Sequence, residues 1–410
     1  MNQPTKTTSP LLKGLRVLDI AHQYSGAHAA ALLGDLGAEV LSIEHPKGSP
    51  IRTMLPKKEG ESLWWKVIQR GKKNITLNLS TPKGKEIFFA LAKKHDVLVE
   101  NFRAGTLERW GIGPEDLERA GANLAMLRIS GFGQTGPMSN QPGFGVIAEA
   151  MSGFAHLNGF PDGPPVFPST TLGDGVASVF GAFGVMAAMF DKLRGGSKGV
   201  QVIDLALFEA LFRIIPTQVA AYDQLGKIPK RPGNFLGAHG SLRNVYRSKD
   251  ERYFCVGGVG YAAVRRTLVG AQADELVRKL DTGIMDTADA AGIFAFLTEC
   301  DTFLAEWARQ RPLAELTKAM SETGAVHGNV FDVSDIVKNE QFKAREDLIR
   351  VPDNDFGTIQ MQGIVPKFPG REHKVAHTGR PRGADNASVY GEFFGYSEDT
   401  LKQLKAEGVL

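Results

Sequence analysis

The first 44 residues confine the chain to a narrow set of folds. Gly14-Leu15-Arg16-Val17-Leu18-Asp19-Ile20 reads as a short buried strand. A turn at Ser25-Gly26 follows, then an Ala/Leu-rich helical run from Ala27 to Leu36 that Gly37 ends. Ala38 to Glu44 is a second strand. Strand, glycine turn, helix and strand make a βαβ unit, which implies a parallel sheet with a right-handed crossover. The pattern continues with strands at Asn74 to Leu79, Asp96 to Glu100 and Ala125 to Ile129, and a helix at Lys83 to Lys94. The expected fold class is α/β.

From Gly131 to Asp174 the composition changes to Gly, Pro, Phe and Ser, which predicts a long loop region of functional character. Helices are expected at Val176 to Arg194 and Asp204 to Leu225, joined by GGSKGVQ. The linker-like GKIPKRPGNFLGAHG precedes a strand at Tyr253 to Val256, and charged amphipathic helices run to about residue 325. These shifts predict a disordered lead at 1–10 and a large domain at 11–225. A small domain at 226–330 and a return segment at 331–410, ending in a helix at Glu398 to Glu407, complete the division.

A chain of 410 residues can bury its core without disulfides or metals, and its net charge of +3 does not suit a nucleic-acid partner. Cys255 and Cys300 form no metal-ligand spacing, and the histidines show none either, so no metal is expected. The longest apolar stretch, Val176 to Phe190, is shorter than the roughly 20 residues of a spanning helix. The opening MNQPTKTTSP lacks the apolar run of a signal peptide. A cytoplasmic protein without a membrane partner is the expectation. One number departs from average, the 47 glycines, which mark many sharp turns or close backbone approaches.

Several residues invite a chemical role. The first turn, HQYSGAHA, has one glycine where a dinucleotide fingerprint requires three, although Glu44 stands near the position of a ribose-binding acid. A second partial match is Gly258-Val259-Gly260-Tyr261-Ala262-Ala263. The basic residues Lys57, Lys58, Lys66, Arg70, Lys72 and Lys73 could meet a phosphorylated ligand, or form a solvated face. Trp64-Trp65 reads as a core or interface anchor. His22 and His28 flank the first turn, where structural capping competes with chemistry. Asp174, in Thr171-Leu172-Gly173-Asp174-Gly175, fits a helix N-cap. A carboxylate between two glycines is also open to a bulky partner, and carboxylates can act as covalent nucleophiles. Composition leaves both readings open.

Several blocks, in order, resemble the class III CoA-transferases, the formyl-CoA transferase and carnitine CoA-transferase group. They are GLRVLDIA, GDLGAEVLSIEHP, GKKNITLNLSTPKGKE, VENFRAGTLERWGI, SGFGQTGP, the GDG around Asp174 and the closing GEFFGYSEDTLKQLKAEGVL. The resemblance implies a Rossmann-like large domain, a smaller α/β domain and a homodimer of interlinked rings. It implies that Asp174 is the nucleophile that exchanges CoA between a donor acyl-CoA and an acceptor carboxylic acid, through aspartyl anhydride and aspartyl-CoA intermediates. Coenzyme A then enters as a thioester substrate rather than a tightly bound cofactor.

By the same resemblance Tyr24, Ser25, His45, Leu77, Asn78, Asn101, Phe102, Arg103 and Arg109 line the CoA site. Gly257, Gly258 and Gly260 correspond to a lid loop. Tyr24 stands where formyl-CoA transferase has glutamine, which implies a different acyl selectivity; His45 replaces an arginine at a phosphate contact, and Phe144 takes the place of a tyrosine near the active site. The α-methylacyl-CoA racemases share fold and aspartate but pair it with a histidine that would fall in PGFGVIAEA, where this chain has Gly143-Phe144. A nicotinamide-dependent oxidoreductase is a further alternative.

Overall fold

The computed structural model describes residues 9–410, so the lead expected at 1–10 lies outside the described residues apart from Ser9 and Pro10. Six parallel strands form the main sheet: β1 (Arg16–Asp19), β2 (Glu39–Glu44), β3 (Lys73–Thr76), β4 (Val97–Glu100), β5 (Ala125–Ser130) and β6 (Gln201–Ala206). Their spatial order is β3-β2-β1-β4-β5-β6. This is the order of a doubly wound sheet, in which the winding direction reverses between β1 and β4.

Side-chain alternation explains the two covered faces. Leu18, Leu41, Ile43, Leu98 and Met126 point into one buried cluster with Phe88 and Leu91, from α3 (Pro82–Ala92), and Tyr390. Val17, Val40, Val97, Val99, Leu127 and Ile129 point into the other. There they meet α1 (Tyr24–Asp35), α5 (Leu172–Leu193) and α6 (Leu207–Arg213). Strands buried on both sides read as continuous apolar runs, as parallel strands do. Helix α1 has no side-chain N-cap bond at Gln23, which forgoes about 1 kcal/mol. Burial of Leu33 alone contributes about 2 kcal/mol, so packing rather than capping holds the helix.

Two local expectations change. The run expected as one helix from Asp204 to Leu225 is the strand β6, then α6, then a separate helix Gln218–Leu225. A near-continuous apolar run does not distinguish an edge strand from a helix. The region from 131 to 174 is not all loop, for it contains α4 (Gly145–Met151). Helix α5 spans 22 residues, longer than its apolar core suggested, and is the one helix among the described residues long and apolar enough to cross a membrane. It packs on α1, β5, β6 and α6.

The chain divides into two compact units. One takes in the chain through Phe154, then Phe167–Ala220 and Gln341–Leu410; the other holds Ala155–Val166 and Ala221–Glu340. The sequence placed the crossings at 225 and 330 and did not anticipate the early excursion at 155–166. That segment is tied within its own unit by long-range bonds, from Arg231 to the Gly163 carbonyl at 3.0 Å and from the Gly233 amide to the Gly159 carbonyl at 3.1 Å. Local Gly/Pro composition carries no record of such partners. The second unit is built on an antiparallel sheet of β7 (Ser241–Arg247), β8 (Tyr253–Val259) and β9 (His327–Asn329). Its separate core includes Phe254, Phe296, Trp307 and the buried Cys300.

Candidate active site

The carboxyl ends of the central strands open on a crevice of about 420 Å³ at the point where the sheet reverses. Ligands of doubly wound folds bind at such points. Ile20, Ala21 and His22 after β1, Glu44 and His45 at the end of β2, Leu77 to Ser80 after β3, and Phe102 after β4 line it, with Trp65 and Trp110. The walls are mostly apolar or aromatic, with few polar groups. Phe102 stacks on His22 at 4.5 Å between ring centroids and meets Trp110 edge-on. The Nδ1 atom of His22 is buried without a hydrogen-bond partner, a group that a ligand could satisfy. Of the nine residues expected to contact CoA, His45, Leu77, Asn78 and Phe102 line this crevice.

A second group gathers around Asp174. Thr171 is the N-cap of α5 and Asp174 stands in the first turn, so the N-cap reading does not hold. Its carboxylate lies against Gly145, and the Ser25 hydroxyl and the amides of Gly145 and of Asp174 itself favour its charged form. Ser25 is buried at the start of α1, and its Oγ lies 3.4 Å from Asn101 Nδ2. The hydroxyl thus accepts from Asn101, and its influence on Asp174 is to favour the carboxylate. Ser178 Oγ lies 2.8 Å from the Ser25 carbonyl and 2.7 Å from that of Asp174, which ties the two helix starts together. Burial, and then the Glu149 carboxylate, push Asp174 up to about 6.

Gly145 is required at this spot. A Cβ there would lie 2.2 Å from Asp174 Oδ2, so any side chain would displace the carboxylate. Tyr24 lies beside the same turn, between the rings of His28 at 5.1 Å and Trp64 at 5.2 Å. Its hydroxyl is shifted upward by burial and by the charge of Asp174. His28 is driven down to about 4 by burial and by Lys72 and Arg70, so it is a neutral packing partner rather than an acid or base.

Arg103 and Arg109 are exposed, on the loop and short helix that follow β4; Arg109 donates to Thr106 Oγ1 at 2.9 Å. Gly257 and Gly258 are not in a loop. They belong to β8 in the second unit, paired with Arg243 and Leu242, and Gly260 forms the turn into the helix Tyr261–Gly270 with φ +74°. The same antiparallel setting removes the second dinucleotide match, which needs a βαβ context. Glu44 is likewise engaged, with Arg52 Nε at 2.8 Å and the Ser49 amide at 2.9 Å.

Of the basic cluster, Lys66, Arg70 and Lys72 are buried ion-pair partners of Asp353, Asp35 and Asp19. Trp65 is a core residue, as expected, whose Nε1 donates to the Arg380 carbonyl. Among the described residues no cluster of His, Cys, Asp or Glu is arranged to hold a metal ion.

Three residues of the site were not singled out by sequence: Gly145, Ser178 and Glu149. The last had a signal, being the only acid between Glu118 and Asp162.

A doubly wound sheet with an apolar crevice at its reversal, and a carboxylate set into the start of a nearby helix, defines an α/β enzyme that works on a ligand of mixed apolar and polar character. Comparison with known proteins narrows this. Residues 12–386 match the model of CoA-transferase family III, and the chain belongs to that family. It is similar to a succinyl-CoA–D-citramalate CoA-transferase of Chloroflexus aurantiacus, 34% identical over 97% of this chain and 98% of that one. It is also similar to the beta subunit of a succinyl-CoA–L-malate CoA-transferase of the same organism, 32% identical over 99% of each chain.

Among solved structures, a CaiB/BaiF family protein from Brucella suis superposes with a TM-score of 0.81 at 26% identity, covering 94% of this chain and 99% of that one. The family expected from the sequence blocks is therefore confirmed. The protein is an enzyme that moves coenzyme A from an acyl-CoA thioester to a carboxylic acid.

Proposed function

We propose that Asp174 carries the transfer covalently, with a succinyl-CoA-type thioester as donor and a small carboxylic acid as acceptor. The observation that carries the reading is the half-buried Asp174 carboxylate, packed against Gly145 on the same unit as the crevice. An Asp174 oxygen attacks the thioester carbonyl and the C–S bond breaks, giving a mixed anhydride and CoA thiolate. The thiolate attacks the aspartyl carbonyl and expels the donor acid as its carboxylate, leaving aspartyl-CoA. The acceptor carboxylate then attacks the aspartyl carbonyl, frees the thiolate and forms a second anhydride. Attack of the thiolate on the acceptor's acyl carbon yields the new acyl-CoA and restores Asp174. No proton or electron is consumed, and each step exchanges bonds of similar energy.

In this reading the CoA moiety lies in the crevice, in contact with His45, Leu77, Asn78 and Phe102, and the reacting end reaches Tyr24, Ser25 and Asn101. The choice of donor rests on the relatives named for succinyl-CoA. The exposed apolar side chains of α5, including Phe183, Phe190 and Leu193, support a homodimer, because patches of this kind mark association surfaces.

The direct test is trapping. The enzyme is incubated with succinyl-CoA, quenched with hydroxylamine, and its peptides mapped by mass spectrometry, across a panel of acceptor acids. Modification is expected at Asp174, and Asp174→Ala should lose at least ~10³-fold in kcat, the scale of removing a covalent nucleophile. An unmodified Asp174 in an active enzyme, or an active Asp174→Ala variant, overturns the mechanism. Exchange of the α-proton in deuterated water without CoA transfer would instead favour the racemase. His156, the remaining histidine considered for that role, lies in the other unit with Nε2 3.0 Å from the Pro229 carbonyl.

A further inference from the structure

Buried carboxylates in the large unit are, with one exception, matched by cations. Asp19 pairs with Lys72, Asp35 with Arg70, Glu44 with Arg52 and Glu100 with Arg128. Glu149 is the exception. It is 3% exposed on α4, and no Lys, Arg or His among the described residues forms an ion pair with it. Its Oε1 accepts from the Gly173 amide at 3.1 Å, one residue before Asp174. Burying a carboxylate is costly unless something requires its charge. A neutral glutamine could accept the same hydrogen bond at a lower cost.

We propose that Glu149 is a positioning residue for the transfer: it fixes the first turn of α5 through Gly173 and sets a second negative charge beside Asp174 that is relieved when Asp174 is acylated. The inference rests on the nucleophile reading above. With Asp174 ionised, a second carboxylate, bonded to the amide one residue before it, repels it in a half-buried site, and the nucleophile is held at raised energy and raised basicity. When it attacks, its charge passes to the departing thiolate and the repulsion ends. An interaction unfavourable only before the bond forms accelerates the step that forms it. The upward shift of Asp174 agrees in sign, with Glu149 second only to burial among its causes.

Groups on the elements packed against α5 do not supply this effect. From α1, Tyr24 is the group that feels Asp174, and His28 is neutral. From β5, Arg128 is taken up by Glu100 and Glu108. From β6, Asp204 accepts from the Gln134 amide, and from α6, Glu209 caps its own helix at Ala206.

The test compares wild type, Glu149→Gln, Glu149→Ala and Asp174→Asn, reading kcat/KM for succinyl-CoA from pH 5 to 8, the rate of Asp174 modification, and the thermal midpoint. Glu149→Gln keeps the acceptor oxygen and removes the charge. It should move the acid limb to lower pH and slow modification of Asp174 at pH 8 by roughly tenfold, the equivalent of about 1.4 kcal/mol, with a thermal midpoint equal to or above that of wild type. Glu149→Ala should lose more activity and also melt lower. A Glu149→Gln variant whose pH profile and modification rate superimpose on wild type overturns the proposal and leaves Glu149 a structural acceptor. An active Asp174→Asn would instead defeat the nucleophile reading, an outcome visible without any Glu149 variant.

Discussion

Asp174 is a carboxylate under opposing influences, and the balance sets its working pH. Burial and Glu149 raise it to about 6, while the Ser25 hydroxyl and two amides pull it down. If Asp174 is the nucleophile, attack needs its ionised form, so kcat/KM should rise with pH through about 6 and level off above. Ser25→Ala removes a donor to the charged state, which raises the value further and moves the acid limb to higher pH. The loss relative to wild type should be several-fold larger at pH 6 than at pH 8, opposite in sign to Glu149→Gln. A limb that stays in place would show that Ser25 does not bond Asp174 in the working enzyme. Asp174, Tyr24 and Ser25 were singled out in the sequence by the family resemblance of the short blocks that hold them. Glu149 was not, because its importance lies in being folded against a turn 24 residues away.

At the scale of elements, one buried cation fastens two strands and a helix. Lys72 Nζ, at the entry to β3, lies 2.8 Å from Asp19 Oδ2 at the end of β1 and 2.7 Å from the Ala27 carbonyl in α1. Asp19 in turn accepts from the Ala21 amide at 2.9 Å and shapes the first turn. Lys72→Met would leave Asp19 buried without a countercharge, a loss of about 3–5 kcal/mol. Urea unfolding should register that loss, and Lys72→Met combined with Asp19→Asn should recover most of it. A single variant as stable as wild type would show that the pair holds nothing together. In sequence, the run from Lys57 to Lys73 looks like one basic patch, since charge alone does not reveal which side chains turn inward. The exposed Lys57 and Lys58 and the buried Lys66 and Lys72 differ only in their distant acidic partners. Strand β6 was missed for a related reason: its alternating exposure at the sheet edge emerges only once β5 is beside it.

For the whole molecule, α5 carries both the proposed nucleophile and the face proposed for a dimer. One end carries Asp174, while Phe183, Phe190 and Leu193 stand 61–83% exposed along its outer side. If this side closes a homodimer, Phe183→Glu should shift the protein to a monomer in sedimentation velocity at micromolar concentration. A Phe183→Glu protein with an unchanged sedimentation coefficient would place the dimer contact elsewhere or remove it. The α/β class and the first five strands were readable because each βαβ step is local. The division into units was less so, since the chain crosses between them four times and each crossing depends on contacts made far along the chain.

Strand β3 is an edge strand, yet its amides do not face open solvent. Asp385 accepts from the Asn74 amide at 2.8 Å, Asn386 from the Thr76 amide at 2.9 Å, and the Tyr390 hydroxyl donates to the Thr76 carbonyl. The partner of Asn74 lies 311 residues downstream. At bacterial and eukaryotic elongation rates of about 5–20 residues per second, that distance is roughly 15–60 s of synthesis. Throughout that interval the emerging chain carries an uncovered strand edge, the surface on which stray chains pair. The ribosome thus delivers this enzyme's weakest flank early and its protection late. Holding that flank apart from other nascent chains becomes a task for the cell rather than for the fold.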